Sequence, residues 1–256
     1  MASQVIEIKH LTKRYANERL VLDDISLSVA QNEFITVIGP SGCGKSTLLN
    51  IIAGLETATS GVVLDHGQPV AGTAPQRGVV FQQYALFPWL TVRENVAFGL
   101  KMQRRTSADV MAEVTRFIKM VGLADFADSY PKDLSGGMKQ RVAIARAYAA
   151  NPSLLLMDEP FGALDAQTRA QLQGELLNLW QQAQKTCFFI THDVDEAIIL
   201  GQKIVVMGAH PGHIKAVIPV DLPYPRSVDT RLSEAFLQIK QQVWGLVYTD
   251  QEAAHD

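Results

Sequence analysis

The sequence predicts an α/β protein with a mostly parallel core sheet, an antiparallel N-terminal portion and a more helical insert at about residues 88–150. Short apolar runs typical of buried strands recur along the chain. Stretches with the apolar spacing of helices lie between these runs. Because strands that alternate with helices form parallel sheets, this order indicates the α/β class.

The strands follow two patterns along the chain. Residues 5–9 and 25–29 alternate apolar with polar side chains, as half-exposed strands do. Residues 34–38 are nearly all apolar, which is typical of a parallel strand that is buried on both faces. Further runs of this buried kind are residues 79–81, 154–157, 187–190 and 204–207.

The helices are predicted from apolar periodicity. Apolar side chains recur at i, i+4, i+7 and i+11 in residues 110–121 and again in residues 172–183. A comparable spacing over residues 236–246, behind the segment DLPYPR, predicts a C-terminal helix. We therefore divide the chain into a main domain, residues 1–218, and a short C-terminal extension with one helix, residues 219–256.

The composition disfavours several classes of function. The 256 residues carry a formal net charge of −3 and no block of Lys or Arg, so we expect no nucleic-acid partner. Cys43 and Cys187 fit no disulfide or metal-ligand spacing, which suits a reducing cytoplasm. The sequence shows no secretion signal and no apolar run that could cross a bilayer, so we expect a soluble or peripheral protein.

The strongest motif is GPSGCGKST, which follows a predicted buried strand and precedes the apolar helical stretch LLNIIAGL. Its glycines let consecutive backbone N–H groups face one anion, and the helix N-terminus adds about half a positive charge. Lys45 would reach the β- and γ-phosphates of ATP, and the Ser46 hydroxyl would ligate Mg²⁺. An ordinary glycine-rich turn is the alternative interpretation, which both flanks disfavour. The residues predicted to bind ATP here are Gly39, Pro40, Ser41, Gly42, Cys43, Gly44, Lys45, Ser46 and Thr47.

Two adjacent carboxylates, Asp158 and Glu159, follow the apolar run LLLM. In open parallel sheets ligands gather at the carboxyl ends of the strands, where the glycine-rich loop also lies. Adjacent carboxylates repel each other and are costly to desolvate, so a cation partner is expected. We predict that Asp158 holds Mg²⁺ and that Glu159 is the general base for the attacking water. The alternative is a pair of exposed strand-end charges.

Two further segments carry candidate phosphate contacts. The strand CFFI is followed by Thr191, His192 and Asp193, which brings His192 to the edge where a histidine can donate a hydrogen bond to a γ-phosphate oxygen. An ordinary strand-end residue is the alternative. In LSGGMKQR, Ser135 can cap a helix whose first turn contains Gly136 and Gly137. This arrangement makes a second anion-binding helix N-terminus, although periodicity alone does not distinguish it from a simple capped helix.

The order of GPSGCGKST, FQQ, LSGGMKQR, LLLMDEP, GALD and ITHD resembles the motif series of ATP-binding-cassette (ABC) ATPases almost end to end. The resemblance implies that residues 1–218 form a P-loop NTPase cassette with a helical signature subdomain, and that the signature segment completes the nucleotide site of a second copy. Two copies would then enclose two ATP molecules. The matching positions imply that Tyr15 stacks on adenine and that Gln82 senses Mg²⁺ and the γ-phosphate. Ser135 and Gly137 would contact the partner's ATP. Asp165 would link the two sites, and His192 would be the switch histidine.

One position departs from the resemblance. The signature usually ends in glutamine, whereas this chain has Met138, so any contact that needs the side-chain amide is in doubt. The serine and the backbone donors are retained, and we expect activity to survive.

The resemblance also implies partners. In the family, the aromatic segment 84–90 receives a coupling helix from a transmembrane permease, although aromatic residues beside a proline are more often core residues. RGVVFQ, LFPW, FGALDAQTR and DLPYPR look most like the importers of nitrate, sulfonates and taurine. The predicted solute is taurine or a related sulfonate, with nitrate as the alternative. A periplasmic or lipoprotein solute-binding protein would complete the assembly, at the cytoplasmic face of the bacterial inner membrane.

Two other classes are weaker interpretations. Non-transport ABC ATPases of DNA repair or translation usually carry coiled-coil insertions, tandem cassettes or basic arms, which this sequence lacks. A P-loop kinase or a purely structural nucleotide binder would leave LSGGM and the Gln82 region without a role.

Overall fold

A computed structural model describes residues 4–16, 18–103, 107–162, 164–227 and 229–252. Its contacts divide the chain into two compact units. The first unit contains the chain up to Ala74 and from Trp180 onward, and the second unit contains Pro75–Leu179.

Ten strands and seven α-helices are assigned within the described residues. The strands are β1 (Gln4–Arg14), β2 (Leu20–Ala30), β3 (Phe34–Ile38), β4 (Ser60–Asp65), β5 (Gln68–Pro69), β6 (Arg77–Val80), β7 (Leu154–Asp158), β8 (Thr186–Thr191), β9 (Lys203–Gly208) and β10 (His213–Pro219). The helices are α1 (Lys45–Ala53), α2 (Val92–Met102), α3 (Ser107–Met120), α4 (Gly136–Ala149), α5 (Ala166–Ala183), α6 (Val194–Leu200) and α7 (Glu234–Glu252).

The first unit contains an antiparallel sheet with the strand order β2-β1-β4-β5. In β2 the side chains of Ile25, Leu27 and Val29 alternate with exposed polar residues, as the sequence pattern predicts. Leu27 lies opposite Ile8 of β1. The antiparallel N-terminal portion is therefore confirmed.

The buried strands of the first unit form a mainly parallel arrangement. Every residue of β3 is buried, and β3 pairs in parallel with β8 on one side and β9 on the other, while β10 adds antiparallel to β9. In the second unit β6 and β7 are parallel neighbours, with Val80 opposite Met157. Strands β3, β7, β8 and β9 are buried along nearly their whole length, as their continuous apolar runs predict, because both of their faces are covered. Strand β6 differs: it ends at Val80, Val79 is half-buried and Phe81 is exposed, so the predicted buried run at residues 79–81 is wrong there.

Helices dominate the second unit, where α2 packs against α3 and α4. Thr91 and Glu94 form a reciprocal capping box at the start of α2. Buried apolar side chains of α3, including Val114 and Phe117, match the predicted periodicity. The helical signature subdomain of the predicted fold class is thus confirmed.

The C-terminal tail is part of the first unit and packs against its other elements. Helix α7 contacts α6 and β9, and it buries Phe236, Val243 and Val247. The proposed division of the chain at residue 218 stays a prediction, and residues 253–256 lie outside the described residues. None of the described helices is both long enough and apolar enough to cross a bilayer.

Candidate functional site

The glycine-rich loop lies between the end of β3 and the start of α1, in the first unit. Gly42 and Gly44 have φ angles of 78° and 94°, in the left-handed region that other residues avoid. An added Cβ at Gly44 would lie 2.6 Å from a side-chain methyl carbon of Leu22, so space also restricts this position. The turn into α1 therefore needs glycine at Gly44, both for its left-handed φ and because no space is left for a Cβ.

The Lys45 side chain is buried against its own loop. Its Nζ donates hydrogen bonds to the carbonyl oxygens of Gly39, at 2.8 Å, and Pro40, at 3.0 Å. The Cys43 Sγ lies 3.9 Å from the same Nζ, and burial raises the pKa of the Cys43 thiol above its usual value. Because these acceptors carry no formal charge, the ammonium can exchange them for phosphate oxygens.

His192 lies at the sheet edge that also bears the glycine-rich loop. Ile38, the last residue of β3, is opposite Thr191, the last residue of β8. Gly39 and His192 therefore leave neighbouring strands at the same edge. Next to the exposed His192, Asp193 caps α6 by accepting a hydrogen bond from the Glu196 amide at 3.1 Å.

Tyr15 follows β1 and presents an aromatic ring that is 42% exposed. Its hydroxyl donates to Glu56 Oε2 at 3.1 Å, and Lys13 Nζ lies 4.9 Å from the ring centroid. Lys13 also pairs with Glu56 Oε1 at 3.0 Å and donates to the Thr57 carbonyl at 2.7 Å. These contacts orient the ring, so that it can stack on a planar base at little entropic cost.

In the second unit, the carboxylates lie beside Gln82. Asp158 ends β7 and Glu159 follows it with a φ of 41°, a left-handed conformation that is costly for a non-glycine residue and concentrates at functional sites. A Cβ placed on Gly162 would lie 3.7 Å from Glu159 Oε2 and 3.9 Å from Gln82 Nε2. The Gln82 and Glu159 side chains therefore end close to the same point.

Ser135 caps α4 by accepting a hydrogen bond from the Met138 amide at 3.3 Å. Gly136 and Gly137 form the first turn, where a Cβ on Gly137 would come within 2.7 Å of Thr168 Cγ2. The Met138 contribution to the cap is made by its backbone, so it does not need a glutamine side chain. The exposed N-terminus of α4 can bind an anion.

Asp165 is the cap of a neighbouring helix. Its Oδ1 accepts a hydrogen bond from the Thr168 amide at 2.9 Å, and the hydrogen bonds from Thr168 hold the pKa of the Asp165 carboxyl below its usual value. The side chain is therefore an anionic acceptor at neutral pH.

The segment Tyr84–Leu90 forms an aromatic surface in the second unit. Phe87 packs against Phe98, with ring centroids 4.4 Å apart, and against Trp89 at 5.7 Å. Trp89 itself is 70% exposed. Buried Asn95 accepts from the Phe87 amide at 2.9 Å and donates to its carbonyl at 3.2 Å, which fixes the segment.

The structure thus distributes the predicted residues over both units. Tyr15, the glycine-rich loop and His192 belong to the first unit, and Gln82, the Ser135 helix, Asp158, Glu159 and Asp165 belong to the second. No described group of three or more His, Cys, Asp or Glu residues can hold a metal ion alone. The predicted Mg²⁺ ligands, a hydroxyl, an amide oxygen and a carboxylate, are hard oxygen donors of the kind that this ion prefers.

Several supporting residues were not predicted from the sequence. Lys13 and Glu56 orient Tyr15, and Asn95 and Arg146 hold the backbone of the aromatic segment. A buried asparagine next to the capping motif T-x-x-E is the one signal that could have indicated this last role.

The chain is similar to known proteins over most of its length. A family model described as ABC transporter matches residues 22–162. A putative ATP-binding protein of Brucella abortus (strain 2308) is 53% identical over 255 residues, 98% of each chain. An aliphatic sulfonates import ATP-binding protein, SsuB, of Bacillus cereus (strain ATCC 10987 / NRS 248) is 50% identical over 223 residues, which are 87% of this chain and 86% of the relative.

A solved structure supports the same assignment. The bacterial ABC transporter cassette MJ0796, described as dimeric, has a TM-score of 0.76 and 34% identity over 85% of this chain and 100% of its own. The same cassette in a post-hydrolysis state bound to ADP and Pi has a TM-score of 0.75, at 33% identity and the same coverage. The predicted P-loop NTPase cassette is therefore confirmed, and the chain belongs to the ABC transporter family as an ATP-binding subunit that hydrolyses ATP.

Proposed function

We propose that this ATPase drives the import of aliphatic sulfonates, taurine among them. The observation that carries the proposal is its 50% identity to SsuB of Bacillus cereus across most of both chains. The segments RGVVFQ, LFPW and DLPYPR, which we associate with nitrate, sulfonate and taurine importers, support the same group. No residue of the ATPase is expected to touch the solute, so nitrate remains the second candidate.

We propose that ATP binding brings two copies of the chain together into a closed homodimer. Lys45 of one copy binds the β- and γ-phosphates, and Ser135 with the first turn of α4 binds the same γ-phosphate from the other copy. Only ATP offers charge to both groups at once, which supplies the free energy for closure. Hydrolysis removes this link and the copies separate. The dimeric state described for MJ0796 supports the proposal.

Each remaining site residue has a proposed part. Glu159 accepts a proton from the attacking water, Gln82 senses Mg²⁺ and the γ-phosphate, and His192 donates a hydrogen bond to a γ-phosphate oxygen. Tyr15 stacks on the adenine, and Asp165 links the two nucleotide sites.

Mg²⁺ would be held by the Ser46 hydroxyl, the Asp158 carboxylate and the Gln82 amide oxygen. When bound, it would neutralise charge that develops on the phosphate oxygens. The protein's own contribution is to position these oxygens and to keep Lys45 close to the phosphates.

The aromatic segment Tyr84–Leu90 is the proposed contact with the transmembrane permease. Its exposed Trp89 and the ring pair behind it form the kind of amphipathic anchor that dominates protein interfaces. We place the complex at the cytoplasmic face of the bacterial inner membrane, with a solute-binding protein on the other side. Residues 1–218 would form the cassette and residues 219–256 its short extension.

Solute uptake tests the transport assignment. A strain that lacks this gene is expected to lose growth on taurine or ethanesulfonate as sole sulfur source and to keep growth on sulfate. The wild-type gene should restore growth, and Lys45→Ala should not, because the phosphates lose their buried cation. Loss of growth on nitrate as sole nitrogen source instead would favour the second candidate. Unchanged growth on all these sources would contradict the importer proposal.

A further inference from the structure

Helix α6 begins directly after His192 and Asp193 and has seven residues. Its C-cap residue is Gly201, whose φ of −79° and ψ of 141° are extended rather than left-handed. The last turn therefore lacks the left-handed cap that commonly satisfies the carbonyl groups at a helix C-terminus. Side chains must supply donors to these buried carbonyls.

Arg226 of the DLPYPR segment supplies most of them. Its guanidinium is buried, and one nitrogen donates to the carbonyl oxygens of Ile198 and Gly201, both at 2.6 Å. The other nitrogens donate to the carbonyls of Leu222, at 2.9 and 3.2 Å, and Val220, at 3.2 Å. The side chain therefore joins the end of α6 to the segment that leads into the tail.

Tyr224 completes the contact. Its hydroxyl donates to the Leu200 carbonyl at 2.8 Å, and its ring lies 4.0 Å from the Arg226 guanidinium carbon and 5.2 Å from the ring of Trp180. Burial raises the pKa of the Tyr224 hydroxyl to about 12, so the hydroxyl remains a donor at physiological pH. We call Tyr224 and Arg226 the tail clamp.

The charge of the clamp suits its position. A helix C-terminus carries about half a negative charge, so a cation there is favourable. All the acceptors named for Arg226 are backbone carbonyls, and guanidinium remains protonated even though burial lowers the pKa of Arg226. The clamp therefore recognises this helix end through its geometry and its dipole.

Both ends of α6 are thus fixed. Asp193 caps the first turn, and Thr36 of β3 donates to the Ala197 carbonyl at 3.1 Å, beside the clamp. A helix of this length spans about 10 Å, and the hydrogen bonds between its successive turns connect its two ends. A shift at its C-terminus therefore reaches His192, which leaves β8 immediately before the cap.

We propose that Tyr224 and Arg226 are positioning residues for ATP hydrolysis, which hold α6 and thereby set the position of His192 against the γ-phosphate. The inference rests on the proposed role of His192. It gives DLPYPR a function in the catalytic cycle, beyond that of a packed connection to α7. Lys240 of α7 pairs with Asp195 of α6 at 2.7 Å, so the tail supports the same helix at a second point.

The test compares Arg226→Met and Tyr224→Phe with Arg116→Met, which removes an exposed pair with Glu113. Arg226→Met should lower kcat on the order of 10-fold and leave KM for ATP nearly unchanged, because the glycine-rich loop is intact. Tyr224→Phe removes a single donor and should cause a smaller fall of the same kind. Hydrogen exchange should accelerate in residues 192–200 and not in α1. Arg116→Met should leave all these quantities unchanged.

A double-mutant cycle with His192→Ala separates positioning from general destabilisation. If the clamp acts through His192, either clamp variant lowers kcat much less in the His192→Ala background than in the wild type. An equal fall in both backgrounds, or no fall in kcat for Arg226→Met and Tyr224→Phe, would overturn the inference but leave the proposed role of His192 intact. Wild-type turnover of His192→Ala would instead reject the proposed role of His192, and the inference with it. If Arg226→Met fails to fold, the double-mutant cycle is measured with Tyr224→Phe and His192→Ala.

Discussion

Glu159, the proposed general base, has an unusual backbone conformation. Its left-handed φ of 41° and the proximity of its Oε2 to the Gln82 side chain suit a base held in a defined direction. Glu159→Gln keeps the shape and removes the proton acceptor. We expect turnover to fall on the order of 10² or more, while ATP binding persists. Phosphate release and nucleotide titration measure the two effects.

The same variant is expected to accumulate as an ATP-bound dimer, because the γ-phosphate that links the copies is not removed. Light scattering with and without ATP detects this dimer. Glu113→Gln is the matched control, since Glu113 is a surface residue that pairs with Arg116. Full turnover of Glu159→Gln would reject it as the base.

Single residues divide into those that the sequence predicted and those that it did not. Lys45, Ser135 and Glu159 lie in motifs whose spacing is the one expected for contact with ATP, so the sequence alone indicates them as candidates, and their roles stay predictions. Arg226 binds backbone carbonyls, and Ile198 is 28 positions away in the chain. Backbone carbonyls have no residue identity, and no local pattern marks such a partner.

Among the elements, long periodic or fully buried segments were predicted best. Predicted residues 34–38 correspond to β3 over the same span, and predicted residues 110–121 to α3. The short β5, which has two residues, and α6, which has seven, were not predicted. Elements this short depend on tertiary contacts, because two helical turns or a two-residue strand are too short to establish a periodicity.

Helix α4 carries the element-scale prediction. Ser135→Ala removes an exposed cap and should lower the free energy of unfolding by about 1 kcal/mol or less. It should also weaken ATP-dependent dimer formation about 10-fold or more, because a hydroxyl bound to a charged phosphate contributes more than a neutral hydrogen bond. Chemical denaturation measures the first effect, and light scattering in a Glu159→Gln background measures the second.

Thr91→Ala, which removes the cap of helix α2, is the control for Ser135→Ala. Thr91 caps α2 by accepting from the Glu94 amide at 3.2 Å, so its loss should cost similar stability and leave the dimer unaffected. Equal dimerisation of Ser135→Ala and Thr91→Ala would show that the signature serine is a structural cap only.

At the scale of the whole molecule, each unit presents an exposed tryptophan. Trp89 of the second unit is 70% exposed, and Trp244 of the first unit is 53% exposed and pairs with Tyr248 at 4.4 Å. Scattered exposed apolar side chains are ordinary in folded proteins. Exposure therefore does not identify an interface unless the surrounding residues also hold the side chain in place.

Trp89 meets that condition, because Phe87 behind it is fixed by buried Asn95. Trp89→Ala should weaken binding to the transporter's membrane subunits by about 30-fold or more, as expected for a central aromatic anchor. ATP hydrolysis by the isolated chain should be retained. Trp244→Ala should preserve both properties. Co-purification with the membrane subunits and phosphate release measure them, and a larger loss of binding for Trp244→Ala would move the proposed permease contact from the aromatic segment to the tail helix.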